Sequence, residues 1–468
     1  MNSKKLSLLL FVLLLGSALL LTACGGTSGT TVEEAPAADE AAPADEAAPA
    51  DEGAMEAEDT TAGETAAEPV TIRVWTHQND AFNEGYQELA DAYMELNPNV
   101  TVEFETFDYD TYIQTLQTAL PAGTEADVLQ MFGSWVCSYA EGGNLAPMPE
   151  SVLSQADAEA AIFAAQLGGY ECGDVLYGVP QEFNIEYGAT LVNTAVAQEV
   201  GIEDITAGWD NWDDFIADGQ AMAVVQDGVM TRAGYNFTAS DAIPATFYSL
   251  ILQNGGQYLT DEAYSVNTDA GRAALELMKR MVDEGLVDPV LFNDESNWVG
   301  DSFFDGSSAM GLVGPWVVPE YGADYPEMIE ITKYVQLPSA GEDALVAASG
   351  WGLTVSENSA AQDTAWDFVK FVTLDPENAA KWNLASGTLP ALKANATGAA
   401  AEELVAAFDH FGPFLGILEN AQYEGAFPDR DLVWYEITYP RILNFLQGNA
   451  TLDETLETMD REVNETLN

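Results

Sequence analysis

The sequence is poor in basic residues. It has 14 lysines and arginines against 77 aspartates and glutamates, a formal net charge of −63 over 468 residues. Phosphate groups are bound by Lys and Arg, so a chain with this charge repels nucleic acid and anionic lipid head groups. We therefore exclude a nucleic-acid partner. High solubility or a salty habitat accounts for the acidity without a specific cation site.

Histidine and the common catalytic motifs are scarce too. Only His77 and His410 occur, and the sequence has no G-x-S-x-G turn, so a serine triad has little support. There is no H-E-x-x-H helix, no Cys/His cluster suited to zinc and no Gly-Lys-Ser/Thr phosphate loop. We expect neither a metal nor a cofactor.

The N-terminus predicts export. Lys4 and Lys5 precede the apolar run LSLLLFVLLLGSALLL, which has the length of a secretory signal. The run ends in LTAC, Leu21 to Cys24, which resembles the lipobox of bacterial lipoproteins and implies cleavage before Cys24 and lipidation of its sulfur. The alternative, an uncleaved membrane anchor, is less favoured because the run is short for a span. We expect an exported protein tethered to the outer face of a cell membrane.

The sequence also contains few cysteines, three in all. Once Cys24 is lipidated, only Cys137 and Cys172 remain. Two thiols left over in an exported protein more often pair than stay free, so we expect a disulfide between them.

The chain divides by composition into three parts. Residues 1–23 form the signal peptide, and residues 24–68 form a lipidated tether. The Ala-Pro-acid repeat of this tether, EAPAADEAAPADEAAPADEGA, lacks the apolar residues needed to fold. The remainder is rich in aromatic and aliphatic residues and should be globular.

The globular part begins with an alternation of strands and helices. VTIRVW reads as a strand, Phe82 to Leu96 as a helix ended by Asn97-Pro98, and VTVEFET as a second strand. A helix near YDTYIQTLQTAL then leads to the strand DVLQMF. This order is typical of a parallel α/β sheet, whose ligands bind beyond the carboxyl ends of the strands.

Six stretches, taken in order, resemble the extracellular solute-binding proteins of family 1, the sugar binders of ABC importers. They cover essentially all of residues 69–468 and are VTIRVWTH, LQTALPAGTEADVLQMFGSW with YAEGGNLAPM, LYGVPQEF with GATLVNTAVAQEVG, FFDGSSAMGLVGPW, SGWGLTVSENSAAQDTAWDFVKFVTLDPENAAKW with GTLPA, and ENAQ with FPDRDLVWYEI. The last is similar to the corresponding part of maltodextrin binders.

The resemblance implies an α/β fold of the type II periplasmic-binding-protein class, with two lobes of parallel-rich sheets flanked by helices and a ligand cleft between them. Lobe 1 would comprise residues 69–186 and 350–397, and lobe 2 residues 187–349 and 398–468. Such a protein captures a neutral sugar or oligosaccharide, closes by a hinge motion and delivers it to a membrane permease. We expect a monomer without enzymatic activity.

Sugar binding requires flat aromatic side chains and planar polar groups that make paired hydrogen bonds. Trp316 is the leading candidate, because the Gly314-Pro315 turn can hold an indole out of the core. The full set of candidate ligand-binding residues is Trp75, His77, Gln78, Asn79, Ser134, Trp135, Glu182, Asn184, Glu186, Trp298, Trp316, Trp351, Trp434 and Tyr435. Which of Glu182, Asn184 and Glu186 faces the ligand stays open at this point.

Other readings remain for several of these residues and for the function. Trp316 could instead plug its loop into the core, and His77 could simply bond within its own loop. Trp366 and Trp382 lie on apolar helix stripes and are expected to be core residues. The alternative functions are a receptor of the same fold for a polyamine or another small solute and, less favoured, a secreted glycoside hydrolase with two carboxylates about 5–10 Å apart.

Overall fold

The computed structural model describes residues 68–260, 263–290 and 298–467. The predicted signal peptide, Cys24 and the tether up to residue 67 lie outside these ranges. Within them, none of the helices has both the length and the apolar character needed to span a bilayer.

Short strands and helices alternate along most of the described chain. The strands are β1 Val70–His77, β2 Val100–Phe107, β3 Val128–Phe132, β4 Glu171–Cys172, β5 Val175–Leu176, β6 Gly178–Pro180, β7 Glu182–Phe183, β8 Ala189–Asn193, β9 Val224–Gln226, β10 Val229–Arg232, β11 Met310–Gly311, β12 Thr332–Gln336, β13 Leu345–Ala347, β14 Trp351–Val355, β15 Leu389–Pro390 and β16 Ala421–Tyr423.

The α-helices are α1 Asp80–Leu96, α2 Tyr109–Ala122, α3 Gly133–Glu141, α4 Gln155–Ala161, α5 Ala164–Leu167, α6 Thr194–Glu199, α7 Trp212–Met222, α8 Ala242–Gln253, α9 Asp269–Asp283, α10 Val299–Phe304, α11 Val317–Gly322, α12 Pro326–Ile329, α13 Gln362–Thr373, α14 Pro376–Ser386, α15 Lys393–Ala396, α16 Gly398–Ala407, α17 Gly412–Leu415, α18 Tyr439–Leu446 and α19 Leu452–Thr466. A π-helix, Leu432–Thr438, precedes α18.

The predicted strand–helix alternation at the start of the globular part is confirmed. Helix α1 buries Phe82, Tyr86, Leu89 and Tyr93, which share one face at helical spacing. The side chain of Asn79 caps it by accepting a hydrogen bond from the backbone N–H of Phe82 at 3.1 Å. Helix α1 therefore begins directly after Gln78 and Asn79, the two residues that follow β1.

The first sheet has five strands in the order β2-β1-β3-β14-β6. Strand β1 runs parallel to both β2 and β3, as the sequence pattern predicts. Strand β14 comes from far along the chain and pairs antiparallel with β3 and β6. Pairing with β3 places Trp351 of β14 directly opposite Phe132, at the carboxyl end of β3.

The second sheet, with the order β11-β8-β12, is antiparallel. Parallel strand pairs occur in the first sheet and between β13 and β16, but not in this second sheet. All five residues of β8 are buried, as expected of a central strand covered on both faces. The chain passes from the first sheet to the second between β6 and β8, and it returns between β12 and β14.

Two hydrophobic cores form around these sheets, so the chain folds as two α/β lobes. One core contains Ile72, Tyr86 and Trp366, and the other contains Leu191 and Phe247. The exact limits of each lobe remain a prediction. Trp316 packs against both cores, which places it where the lobes meet.

The prediction that Trp366 and Trp382 are core residues is confirmed. They lie on α13 and α14 and are 2% and 1% exposed. The indole of Trp382 packs against Phe82 and Tyr86 of α1, so α14 lies against α1.

Candidate functional site

A cavity of about 380 Å³ lies where the two cores meet. This volume is within the range of small-molecule binding clefts. Ten of the fourteen residues expected to bind ligand line it, namely His77, Gln78, Asn79, Glu182, Asn184, Glu186, Trp298, Trp316, Trp351 and Tyr435. Residues from distant parts of the sequence therefore meet at one site.

Two stacked pairs of rings form part of the cavity wall. The imidazole of His77 lies on the indole of Trp351, with ring centroids 4.3 Å apart and planes inclined by 16°. The indoles of Trp298 and Trp316 stack at 5.5 Å and 24°. Stacked rings hold one another in orientation, so each pair presents a flat apolar face of fixed direction.

Backbone geometry explains why Trp316 can stand at the cavity. A Cβ atom on Gly314 would lie only 2.5 Å from Nε1 of Trp316, so the indole can fold back over this turn only if residue 314 is glycine. The half-buried Trp316 immediately precedes α11. The turn thus directs the indole into the cavity, as the sequence predicts.

All three polar residues between Pro180 and Tyr187 that the sequence left open reach the cavity. Oε1 of Glu182 accepts hydrogen bonds from the backbone N–H of Trp351 at 2.9 Å and from the Asn184 amide at 3.4 Å. The backbone N–H of Gly314 donates to Oε2 of Glu186 at 3.2 Å. Their spacing at positions i, i+2 and i+4 places them on one side of an extended segment.

Burial shifts the acid–base properties of both glutamates. Loss of hydration raises the pKa of Glu182 to about 7, although the hydrogen bonds from Trp351 and Asn184 by themselves lower it. Burial and the neighbouring Asp241 carboxylate raise the pKa of Glu186 to about 8, against the hydrogen bond from Gly314. Each group can therefore exchange a proton near neutral pH.

His77 is held as a neutral ring of defined tautomer. Oε1 of Gln130 accepts from the backbone N–H of His77 at 3.1 Å and lies 2.8 Å from its Nδ1. Because an amide oxygen only accepts, Nδ1 must carry the hydrogen and Nε2 keeps its lone pair. Burial lowers the pKa of His77 to about 4, so the ring is uncharged at neutral pH.

Arg430 is the main cavity residue that our list of binding residues lacks. It is 3% exposed, and its Nε donates to Oε2 of the fully buried Glu424 at 2.9 Å. Its guanidinium also lies 4.0 Å from the ring centroid of Trp434 and 4.9 Å from that of Tyr435. Although burial by itself lowers the pKa of Arg430, Tyr435 and Glu424 hold that pKa above its ordinary value.

Several further lining residues were not anticipated, namely Phe82, Tyr109, Phe132, Asp241, Glu320, Ala348 and Asp431. Tyr109 and Phe132 follow or end strands β2 and β3, so the strand-end rule that selected His77 could have found them. Asp241 immediately precedes α8 and accepts from the Tyr435 hydroxyl at 2.6 Å. No sequence signal marks it among so many acids.

Four predicted binding residues lie away from this cavity. The expectation that Trp75 binds ligand is wrong, because β1 continues past it to His77 and pairs Trp75 with Glu105 and Thr76 with Thr106 of β2. Trp75 is 7% exposed, and its Nε1 donates to Oε2 of Glu105 at 3.0 Å. A strand interior holds this indole in the first core.

Trp434 is also buried, at 1% exposed, on the π-helix. The guanidinium of Arg430 covers its ring, and the adjacent Tyr435 lines the cavity instead. Ser134 and Trp135 lie on α3 and line a neighbouring pocket, where Trp135 donates to Oδ2 of Asp431 at 3.0 Å. Trp135 still contacts the site, because its indole meets Trp351 edge to face at 5.5 Å.

The predicted disulfide between Cys137 and Cys172 is present, with Cα atoms 5.3 Å apart. It joins α3 to the β4–β5 hairpin. Because α3 also carries Trp135, the bond restrains the helix that contacts the site from one side.

Sequence comparison identifies relatives for the larger part of the chain. Residues 79–379 match the family model described as bacterial extracellular solute-binding protein. The lactose-binding protein of Rhizobium radiobacter is 24% identical over 319 residues, which is 65% of this chain and 71% of the relative. The maltotriose-binding protein of Pyrococcus abyssi is 25% identical over 334 residues, 69% of this chain and 66% of that one.

Structural comparison finds the same architecture in solved proteins. The cyclic alpha-maltosyl-1,6-maltose binding protein of Arthrobacter globiformis superposes with a TM-score of 0.69 at 23% identity. The match covers 85% of this chain and 99% of that one. At this identity the likeness concerns the fold.

Proposed function

The chain belongs to the bacterial extracellular solute-binding protein family, and on that premise we propose that it is the substrate-binding component of an ABC importer. It captures a saccharide in the cavity between its lobes and delivers it, unaltered, to a membrane permease. The protein acts outside the cell membrane as a monomer, and a lipid on Cys24 anchors it there.

One observation carries the choice of a saccharide. Two stacked pairs, His77 with Trp351 and Trp298 with Trp316, bound a cavity that also presents amide and carboxylate groups. A sugar ring has an apolar C–H face and a rim of hydroxyls, and this combination of flat rings and hydrogen-bonding groups matches both. The names of the lactose- and maltotriose-binding relatives support the same class of ligand.

The charges on the wall argue against an anionic ligand. The only arginine on the cavity wall, within the described residues, is Arg430, and Glu424 and Asp431 already pair with it. A phosphorylated or carboxylated sugar would therefore meet the carboxylates of the wall without a free cation among the described lining residues. The proposal covers the neutral saccharide that the sequence predicts and other saccharides without negative charge.

Tryptophan fluorescence of the purified full chain in detergent, titrated with oligosaccharides and polyamines, tests this function. We expect a saturable change with a saccharide. Trp316→Ala should weaken this binding about tenfold or more, because a stacked indole contributes of the order of 1–2 kcal/mol. Trp366→Ala is the matched control, since it removes a core indole remote from the cavity and should lower stability rather than affinity.

Mass spectrometry of the same samples separates capture from catalysis. An intact saccharide after prolonged incubation agrees with a binding protein. Shortened products would support the glycoside hydrolase instead, and a response to spermidine alone would support the polyamine receptor.

A further inference from the structure

The charged groups of the cavity wall do not balance. Five carboxylates line it, and these are Glu182, Glu186, Asp241, Glu320 and Asp431. The positive charge of Arg430 is matched already, because its Nε lies 2.9 Å from Glu424 and its Nη1 lies 3.3 Å from Asp431. His77 is neutral. Burial raises the pKa of Glu182 and Glu320 to about 7 and that of Glu186 to about 8, so these three hold a proton for part of the time near neutral pH. Even without them, Asp241, Asp431 and Glu424 outnumber the single positive charge of Arg430.

One of these carboxylates keeps an oxygen without a protein donor. Glu182 is 2% exposed, and both of its hydrogen bonds, from Trp351 and Asn184, end on Oε1. Among the described residues, no donor group forms a hydrogen bond with Oε2, although the side chain lines the cavity. Oε2 therefore remains available to accept a hydrogen bond from a donor on the ligand.

Two other carboxylates repel each other across the same wall. The charge of Asp241 adds to burial in raising the pKa of Glu186 to about 8. The Tyr435 hydroxyl donates to Asp241, and the backbone N–H of Gly314 donates to Glu186, but neither donor carries a positive charge. A cation beside this pair would relieve the repulsion directly.

The rings that bound the cavity also favour a cation. The indole faces of Trp298, Trp316 and Trp351 have negative electrostatic potential, and a positive group within about 6 Å of such a face is attracted to it. A neutral saccharide would satisfy the hydrogen bonds and the stacking. It would leave the excess negative charge uncompensated.

We propose that the saccharide captured here carries a protonated amine, as an amino sugar does. The ammonium group donates to Glu182, Glu186 and Asp241 while the sugar rings stack on the indoles, and the protons that the two glutamates hold in the empty cavity are released to solvent on binding. This inference rests on the proposed function, and it replaces the neutral ligand predicted from the sequence by a cationic one.

The test compares saccharides that differ in one substituent. Dimers to tetramers of β-1,4-linked and α-1,4-linked glucose are prepared with a hydroxyl, an amino or an acetamido group at carbon 2. Their binding to the full chain in detergent is measured by calorimetry at about pH 6.5, where such an amine stays protonated. In the linkage series that binds, we expect the amino form to bind at least about tenfold more tightly than the other two, as a charge-assisted hydrogen bond should give.

Variants test whether the cavity carboxylates cause the preference for the amino saccharide. Asp241→Asn removes the charge but keeps an oxygen that can accept from the Tyr435 hydroxyl. Glu182→Gln likewise removes the charge and keeps an oxygen that can accept from the backbone N–H of Trp351. Each should reduce several-fold the preference for the amino form, measured as the ratio of the Kd of the hydroxyl form to that of the amino form. Glu436→Gln is the matched control, because it removes an exposed carboxylate next to Tyr435 that does not line the cavity.

Each result decides between the proposals. If the hydroxyl or acetamido forms bind as tightly as the amino form, or if Asp241→Asn and Glu182→Gln leave the preference intact, the amine proposal fails while saccharide capture stands. If no saccharide binds, or if spermidine binds as tightly as any amino saccharide, both proposals fail.

Discussion

Glu424 offers the most direct test of how the cavity wall is held together. Its side chain is 0% exposed, and Oε1 accepts from the backbone N–H and the hydroxyl of Ser349, at 3.0 and 2.9 Å. Its other oxygen accepts from Nε of Arg430 at 2.9 Å. The carboxylate thus joins the segment before β14 to the segment that carries Arg430 and Tyr435.

Replacing Glu424 by Ala removes three hydrogen bonds and leaves the guanidinium of Arg430 buried beside an empty space. Breaking a buried ion pair from one side costs about 3–5 kcal/mol of unfolding free energy, and the low end applies here because Asp431, 3.3 Å from Nη1 of Arg430, still balances part of the charge. We expect a loss of that size in denaturant titrations of the purified chain. Lys381→Ala, which breaks the exposed pair with Glu377 at 3.3 Å, should cost only about 0.3–0.5 kcal/mol.

A double-mutant cycle tests the reasoning itself. In Glu424→Leu with Arg430→Met, both charges are gone and apolar groups of similar length fill the space, so much of the stability should return. The argument would be refuted if Glu424→Ala cost less than about 1 kcal/mol. It would also be refuted if the double variant lost the sum of the two single losses.

Three other outcomes can be checked in parallel. Cys137→Ser with Cys172→Ser should lower the unfolding free energy by about 3–4 kcal/mol, since the bond closes a loop with a sequence separation of 35, and reductant should then have no further effect on the variant. The pKa of Glu186 is about 8 in the folded protein and about 4.5 in the unfolded chain, so between these pH values only the folded protein keeps the proton. The contribution of this group to the free energy of unfolding should therefore decrease as pH rises from about 5 to 8. Denaturant titrations should show that Glu186→Gln loses this component, and an unchanged pH slope would contradict it. Cys24→Ala should release the protein from membranes into the soluble fraction, and incorporation of labelled fatty acid into this variant would refute lipidation at that sulfur.

Local patterns determined much of the fold. Strand alternation and helical spacing predict β1 to β3 with α1 and α2, because these elements depend on neighbours two to four residues apart. The caps are local too: the side chain of Thr268 caps α9 and that of Asp375 caps α14, and Thr and Asp are favoured residue types at this position. The turn at Gly314 similarly indicated that Trp316 would face a cleft.

The composition of the cavity depended on contacts that no local pattern encodes. Trp75 and His77 are two residues apart, yet pairing with β2 places the first in the core, and stacking on Trp351 places the second at the cavity. Trp434 and Tyr435 are adjacent, and Arg430 covers one ring while the other faces the site.

The sequence by itself determined the family, the order of the first strands and helices, the pairing partners of the only two cysteines left after Cys24, and most of the residues at the cleft. The tertiary structure alone decided which carboxylates meet at the cavity. Acidic side chains are so common here that position along the chain carries no information about Glu182, Glu186 or Asp241. The raised pKa values of Glu182 and Glu186 arise from desolvation and neighbouring charge, which exist only once the two lobes enclose these side chains.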